Sequence, residues 1–230
     1  MMTLRSLAVM LAVSLAAALG GYAVARPHRE MAHDVSLVGD NGQRVAHHSV
    51  TPPSSIGDMP GVVTVGHAKG KATLIEFYDL NCPFCRAAAP EIAHLLDTDP
   101  ALKLVLVPYP ILGPASVAAS RVELAVAQLA TPQQFYALHR KLFAQSGPID
   151  ELRAFQLARE LGFDGRAIDA ISDGDDITQA ISKHLALGKA LGFTATPGFI
   201  VGHTAIVGYP GPHTLQSIVD AAAKCGKLKC

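Results

Sequence analysis

The chain has 230 residues, half of them hydrophobic, with 19 basic and 19 acidic side chains and no tryptophan. That length and apolar content suit one domain with a substantial core, enlarged by an insertion. A net charge of zero without a basic patch gives nucleic-acid binding no electrostatic support.

Arg5 is the only charge before Arg26, and residues 7–19 are small or apolar except for Ser14. With the small-x-small end Ala23-Val24-Ala25, this reads as a secretory signal, residues 1–25, cleaved after Ala25. An uncleaved anchor is the competing reading, because residues 7–25 carry no charge and are just long enough to span a membrane. Either places the remainder outside the cytoplasm, in the cell envelope. Residues 26–60 show no sustained period and hold Pro27, Pro52, Pro53, Pro60 and the turn signal Asp40-Asn41-Gly42. They read as an extended arm, with one short helix or strand near residues 35–38. His28, His33, His47 and His48 lie in it. Without a cysteine or compact spacing they read as a solvated face rather than a metal site.

The domain is expected over residues 61–230. Residues 62–65 and 72–78 read as strands joined by a turn-rich segment. Directly after the second comes Cys82-Pro83-Phe84-Cys85, and then a helical pattern over 86–96. A Cys-x-x-Cys pair at a strand-to-helix junction reads as a redox site. Half of a zinc site, or two inert core cysteines, are the alternatives, disfavoured by the strand before, the proline inside and the helix after. Pro83 suits the first helical position, where its missing N–H costs nothing. Cys82 then falls at the N-cap, where free backbone N–H groups and the helix dipole favour a thiolate. Cys82 is the expected nucleophile and Cys85 the less exposed resolving thiol. Glu76 lies inside the apolar strand. Burial there raises its pKa and fits it to exchange protons with Cys85; the alternative is a strand-end acid facing solvent. Asp79 reads as a turn residue.

Residues 101–107 form a further apolar strand, read as parallel and central. From 115 to 190 the pattern is helical, with candidate helices 115–129, 132–144, 149–161, 165–172 and 175–191. Phe135, Tyr136, Phe143 and Phe155 read as core, and His139 and His184 as helix-surface residues. Thr196-Pro197 precedes a strand, and its bond is open to a cis or a trans reading. Residues 198–201 and 204–207 make a hairpin across Gly202-His203, and 213–224 a last helix. Spacing favours Cys82–Cys85 and Cys225–Cys230 as the pairs. The tail pair could also stay reduced or link chains.

The pattern Glu-Phe-x-x-x-x-Cys-Pro-x-Cys, here Glu76-Phe77 through Cys85, resembles the DsbA-like periplasmic oxidoreductases of thioredoxin fold. Pro90, five residues after the second cysteine, resembles the proline that kinks the active-site helix. The run 193–201 with Thr196-Pro197 resembles the family's cis-proline segment, and 109–114 the segment leaving the central sheet. The resemblance spans about residues 62–224. It implies an α/β thioredoxin-like fold with an all-helical insertion, about 114–191, between the central strand and the cis-Pro strand. It also implies a buried acid at Glu76, and Pro197 facing the disulfide. Thr196, Pro197, Pro83 and Phe84 would then contact substrate.

The expected activity is thiol–disulfide exchange between a Cys82–Cys85 disulfide and cysteines of exported proteins, with no cofactor and no metal. A dithiol oxidase reoxidised by a quinone-linked membrane partner is the first reading. A reductase or isomerase kept reduced by a membrane electron donor is the second. Phe84 cannot hydrogen-bond the thiolate as the histidine of the family's strong oxidases does, and Thr196 resembles isomerase-type members. A non-catalytic metal-binding module is the third.

Overall fold

Two seven-residue apolar runs build the centre of the sheet. β3 (Ala72–Tyr78) and β4 (Leu102–Pro108) lie parallel, pairing Ala72 with Leu102 and Tyr78 with Pro108. Both are covered on two faces, so they read as continuous apolar runs rather than alternations. The computed structural model describes residues 36–67 and 69–230, all within one compact unit. Expectations for residues 1–35, the signal or anchor and His28 and His33 among them, lie outside the described residues. Before β3 come β1 (Ala46–Ser49) and β2 (Val63–Gly66). After β4 come β5 (Gly198–Val201) and β6 (Thr204–Val207). The six strands run in the order β1-β6-β5-β3-β4-β2. β5 and β6 form the expected hairpin, Val201 opposite Thr204, and β5 lies antiparallel to β3.

α1 (Pro83–Thr98) links β3 to β4, with Pro90 inside it. Five helices then intervene before β5: α2 (Pro114–Leu129), α3 (Pro132–Phe143), α4 (Glu151–Glu160), α5 (Gly165–Ser172) and α6 (Asp175–Ala190). This is a thioredoxin-like sheet with an all-helical insertion, as expected. Local signals set the helix starts. Thr131 and Gln134 form a reciprocal capping box before α3, and Asp150 and Asp164 cap α4 and α5 through the N–H groups of Arg153 and Arg166. α7 (Pro212–Cys225) closes the chain. One face of β3 and β4, with Leu74, Tyr78, Leu102 and Leu106, packs in a cluster with Ile92, Phe135 and Ile218. The other, with Phe77, Val105 and Val107, packs with Tyr109 and Phe193. Phe135 and Phe143 are buried core residues; Tyr136 and Phe155 are partly buried against them.

Two expectations fail. Residues 36–60 are not a free arm. β1 pairs antiparallel with β6, Ala46 opposite Val207, and so covers what would be an open sheet edge. Its sequence, Ala-His-His-Ser, has no apolar alternation; main-chain pairing holds it while most of its side chains stay exposed. Near residue 38 there is only a single bridge, Val38 to Arg44. The Asp40 carboxylate accepts from the N–H groups of His213 and Thr214 at the start of α7, and Ile56 is buried. His48 Nε2 lies 2.9 Å from the carbonyl of Leu191.

His139 and His184 are buried, not on the surface. His184 is on the buried stripe of α6 with Ile177, Ile181 and Gly188, and its Nε2 meets the Pro60 carbonyl at 2.9 Å. His139 is on the α3 stripe with Phe135, Leu142 and Phe143, its Nδ1 2.9 Å from Glu123 Oε1. Each is tolerated because a distant segment supplies a partner. Pro60 approaches so closely because of Gly61, at φ 78°, where a Cβ would lie 1.8 Å from Leu124 Cδ2.

Candidate active site

β3 ends at Tyr78, and the chain turns through Asp79, Leu80 and Asn81 into α1. Asp79 is the turn's anchor. Its Oδ1 accepts from Asn81 N at 2.8 Å and from Ser116 Oγ at 2.7 Å, and its Oδ2 accepts from Leu112 N at 2.8 Å. The turn delivers Cys82 to the N-cap of α1 in extended conformation, φ −75° and ψ 121°, with Pro83 at the first helical position. The cap cysteine therefore faces the unpaired N–H groups of the first turn.

Hydrogen bonding brings the Cys82 pKa down to about 6. The largest cause is the bond from the Cys85 thiol. Burial opposes it, and bonds from Thr196 and from the N–H groups of Cys85 and Phe84 add to it. As a thiol, Cys82 Sγ donates to the Thr196 carbonyl at 3.1 Å. The Thr196 side chain favours the ionised sulfur, and its buried hydroxyl makes no hydrogen bond among the described residues while Cys82 is a thiol. Cys85 is the opposite case. It has no exposed surface, and burial, the bond it gives to Cys82, and the charges of Glu76 and Cys82 push its pKa well up. The two sulfurs thus differ in direction: one is a thiolate at neutral pH and the other holds its proton.

Thr196-Pro197 is a cis peptide, and both residues are buried. The bond from Cys82 to the Thr196 carbonyl spans 114 positions of sequence, so this segment forms the wall opposite the cysteines. Glu76, 2% exposed, shares the strand face of Leu74 and Tyr78. Its carboxyl is pushed up to about 8, first by burial, then by the charges of Cys82 and Glu123. At neutral pH it is a buried carboxylic acid with a proton to give. Phe84 stands out from the motif, 61% exposed, and Pro83 is exposed beside it. Cys225 and Cys230 are joined in a disulfide after α7, Cα–Cα 6.3 Å. Among the described residues no group of three or more His, Cys, Asp or Glu could hold a metal.

A buried polar cluster was not foreseen. Glu123 of α2 accepts from the Tyr78 hydroxyl at 2.7 Å through Oε2 and meets His139 through Oε1. It joins the catalytic strand to the insertion, and its charge is one cause of the raised Glu76 pKa. The signal was present: Glu123 is flanked by apolar Val122 and Leu124, the same sign that marked Glu76.

The DSBA-like thioredoxin domain matches residues 73–220, which includes every site residue above except the tail pair. The chain belongs to this family. Among solved structures, a thioredoxin-like oxidoreductase from Silicibacter pomeroyi DSS-3 is 34% identical. The alignment covers 76% of this chain and 99% of that one, with a TM-score of 0.69. A periplasmic thioredoxin-like protein from Salmonella enterica serovar Typhimurium is 26% identical over 76% of this chain and 99% of its own, with a TM-score of 0.62. The catalytic domain of Proteus mirabilis ScsC shares the fold at 24% identity, covering 74% of this chain and 93% of its own, with a TM-score of 0.66. No curated protein sequence matches the chain. The DSBA-like family is one of thiol:disulfide oxidoreductases, and this chain is a thiol:disulfide oxidoreductase.

Proposed function

We propose that the chain is a dithiol oxidase of the cell envelope, acting on cysteines of exported proteins. The observation that supports this most is the low pKa of Cys82. A thiolate exists only in the reduced protein, so whatever stabilises it favours reduction of the disulfide and makes the pair more oxidising. With a pKa of about 6 rather than 9.0, the reduced form gains about 1.4 kcal/mol at pH 7, about 30 mV for two electrons.

In the proposed reaction a substrate thiolate attacks Cys82 Sγ of the disulfide. The S–S bond breaks, and Cys85 leaves. Its high pKa makes it a poor leaving group as a thiolate, so a proton is needed as the bond breaks. Glu76, protonated at neutral pH, is the proposed donor. A second substrate thiolate then attacks the substrate sulfur of the mixed disulfide and releases Cys82 as its stabilised thiolate. The substrate has lost two electrons and the pair has gained them. A membrane redox partner of the quinone-linked class would restore the disulfide. Extended substrate would lie across Thr196, Pro197, Pro83 and Phe84. Residues 1–25 would direct export, in keeping with the periplasmic Salmonella relative.

The reductase or isomerase reading draws on Phe84, whose exposed ring offers the thiolate no hydrogen bond. The reduction potential separates the two. The oxidase reading expects a value clearly above that of thioredoxin, about −270 mV. A value at or below it refutes that reading, as does full dithiol oxidation by Cys82→Ala.

A further inference from the structure

Two side chains bracket the cysteine motif, and both reach the same loop. Asn81, one residue before Cys82, pairs with the main chain of Ile149. Its Oδ1 accepts from Ile149 N at 2.7 Å and its Nδ2 donates to Ile149 O at 2.8 Å. Arg86, one residue after Cys85, donates from Nη2 to the carbonyl of Gly147 at 2.9 Å. The α3–α4 loop is therefore strapped to both ends of Cys82-Pro83-Phe84-Cys85. Asn81 is itself held: Asp79 accepts its N–H, and its Nδ2 also reaches Ser116 Oγ at 3.1 Å.

Neither strap is a cause of Cys82 ionisation, which comes from Cys85, Thr196 and the N–H groups of the first turn. What they hold is a wall. Ser146, Gly147 and Pro148 line a cleft of about 500 Å³ together with Leu112, Pro83 and the two strap residues Asn81 and Arg86, which flank the cysteine motif. Leu112 is 52% exposed, and Phe84, next to Pro83 in the motif, is exposed as well. Loops gain precision for binding when they are fixed beforehand, because the ordering cost then falls outside the binding step.

We infer that Asn81 and Arg86 are positioning residues for protein substrates: they hold the 146–148 loop as a wall of the cleft that receives the apolar, extended segment beside a substrate cysteine. A thiol as small as glutathione needs only the sulfur of Cys82, whereas a peptide needs the wall. The inference rests on the reading that Cys82 exchanges disulfides with substrate thiols.

The test is single-turnover reduction of the oxidised protein, by a leucine-flanked cysteine peptide and separately by glutathione, for Arg86→Met, Arg86→Lys and Asn81→Ala. The expected result for Arg86→Met is a rise of about tenfold in the apparent Kd for the peptide, with its limiting rate kept within about threefold. The glutathione rate should change several-fold less than the peptide's second-order rate. Arg86→Lys, which can still donate to Gly147, should recover most of the loss. Parallel losses with both thiols overturn the inference, as does Arg86→Lys behaving like Arg86→Met, or an unchanged peptide Kd in Arg86→Met. The Arg86 pair decides the matter even if Asn81→Ala does not fold. Absence of exchange by the unsubstituted protein with either thiol would instead refute the reading on which the inference rests.

Discussion

Replacing Glu76 with glutamine should make the protein more stable at pH 7 and no more stable at pH 4.5. The reasoning starts from burial. Glu76 is buried with no cation beside it among the described residues, and its carboxyl holds its proton up to about pH 8, whereas the unfolded chain releases it near 4.5. A raised carboxyl pKa is a cost to the folded state. The cost is absent below the unfolded value, grows as pH rises from 4.5, and levels off above about 8. At pH 7 the unfolded state has gained from ionisation over about 2.5 pH units, at about 1.4 kcal/mol each, so the folded state is disfavoured by about 3 kcal/mol. Glutamine has nearly the shape of the protonated acid and never ionises. The assay is urea denaturation of the reduced proteins at several pH values between 4.5 and 8. The expected pattern is a stability difference near zero at pH 4.5, widening to about 3 kcal/mol at pH 7. A difference that does not depend on pH would refute the reasoning, because it would mean Glu76 is ionised, or solvated, in the folded protein.

Three further outcomes follow from the same structure. His184 has its pKa lowered, chiefly by burial, so stability should fall as pH drops below 6.5, where only the unfolded chain gains the proton; His184→Gln should remove that decline, read by denaturation in the Glu76→Gln background. Tyr78→Phe strips Glu123 Oε2 of its hydrogen bond inside the core and should cost about 1–3 kcal/mol by the same assay, well above the cost of removing an exposed hydroxyl. Asp40→Ala removes the acceptor for two N–H groups at the start of α7 and should cost about 0.5–2 kcal/mol, with hydrogen exchange rising first at His213 and Thr214.

The sequence was most informative where a local cause decides the structure. β3 is set by an apolar run, the start of α1 by Pro83, and the 198–207 hairpin by Gly202, so these lie within a residue or two of where they were expected. It was least informative where the partner comes from far along the chain. His139 and His184 stand on the apolar stripes of their own helices, and the stripe alone argued for burial. Polarity argued against it, and the deciding groups, Glu123 and the Pro60 carbonyl, are 16 and 124 positions away. β1 was hidden for a different reason. Strand pairing by main chain alone leaves no pattern in Ala-His-His-Ser, and only the open edge of β6 calls for it. The Asn81 clamp is of the same kind, since an asparagine in a turn has a sufficient local explanation and its real partner, Ile149, is 68 positions on.

The energetic cost carried by Glu76 and the chemistry proposed for it have one origin. Burial that raises the acid to about 8 also raises Cys85, and a high-pKa sulfur leaves a disulfide slowly unless a proton reaches it. A solvated carboxylate would relieve the cost and have no proton to give at pH 7. A glutamine would relieve the cost and have none to give at any pH. Stability and leaving-group protonation therefore pull on this position in opposite directions, which is the general pattern of strained functional groups. At Cys82 the balance tips the other way, because hydrogen bonds from the Cys85 thiol, Thr196 and the N–H groups of the first turn outweigh the cost of burying its thiolate. The asymmetry between the two sulfurs accordingly comes from hydrogen bonding rather than depth alone: both are buried, but the cap cysteine accepts from the Cys85 thiol, Thr196 and the N–H groups of the first turn, whereas Cys85 gives its proton to that bond and is desolvated beside Glu76.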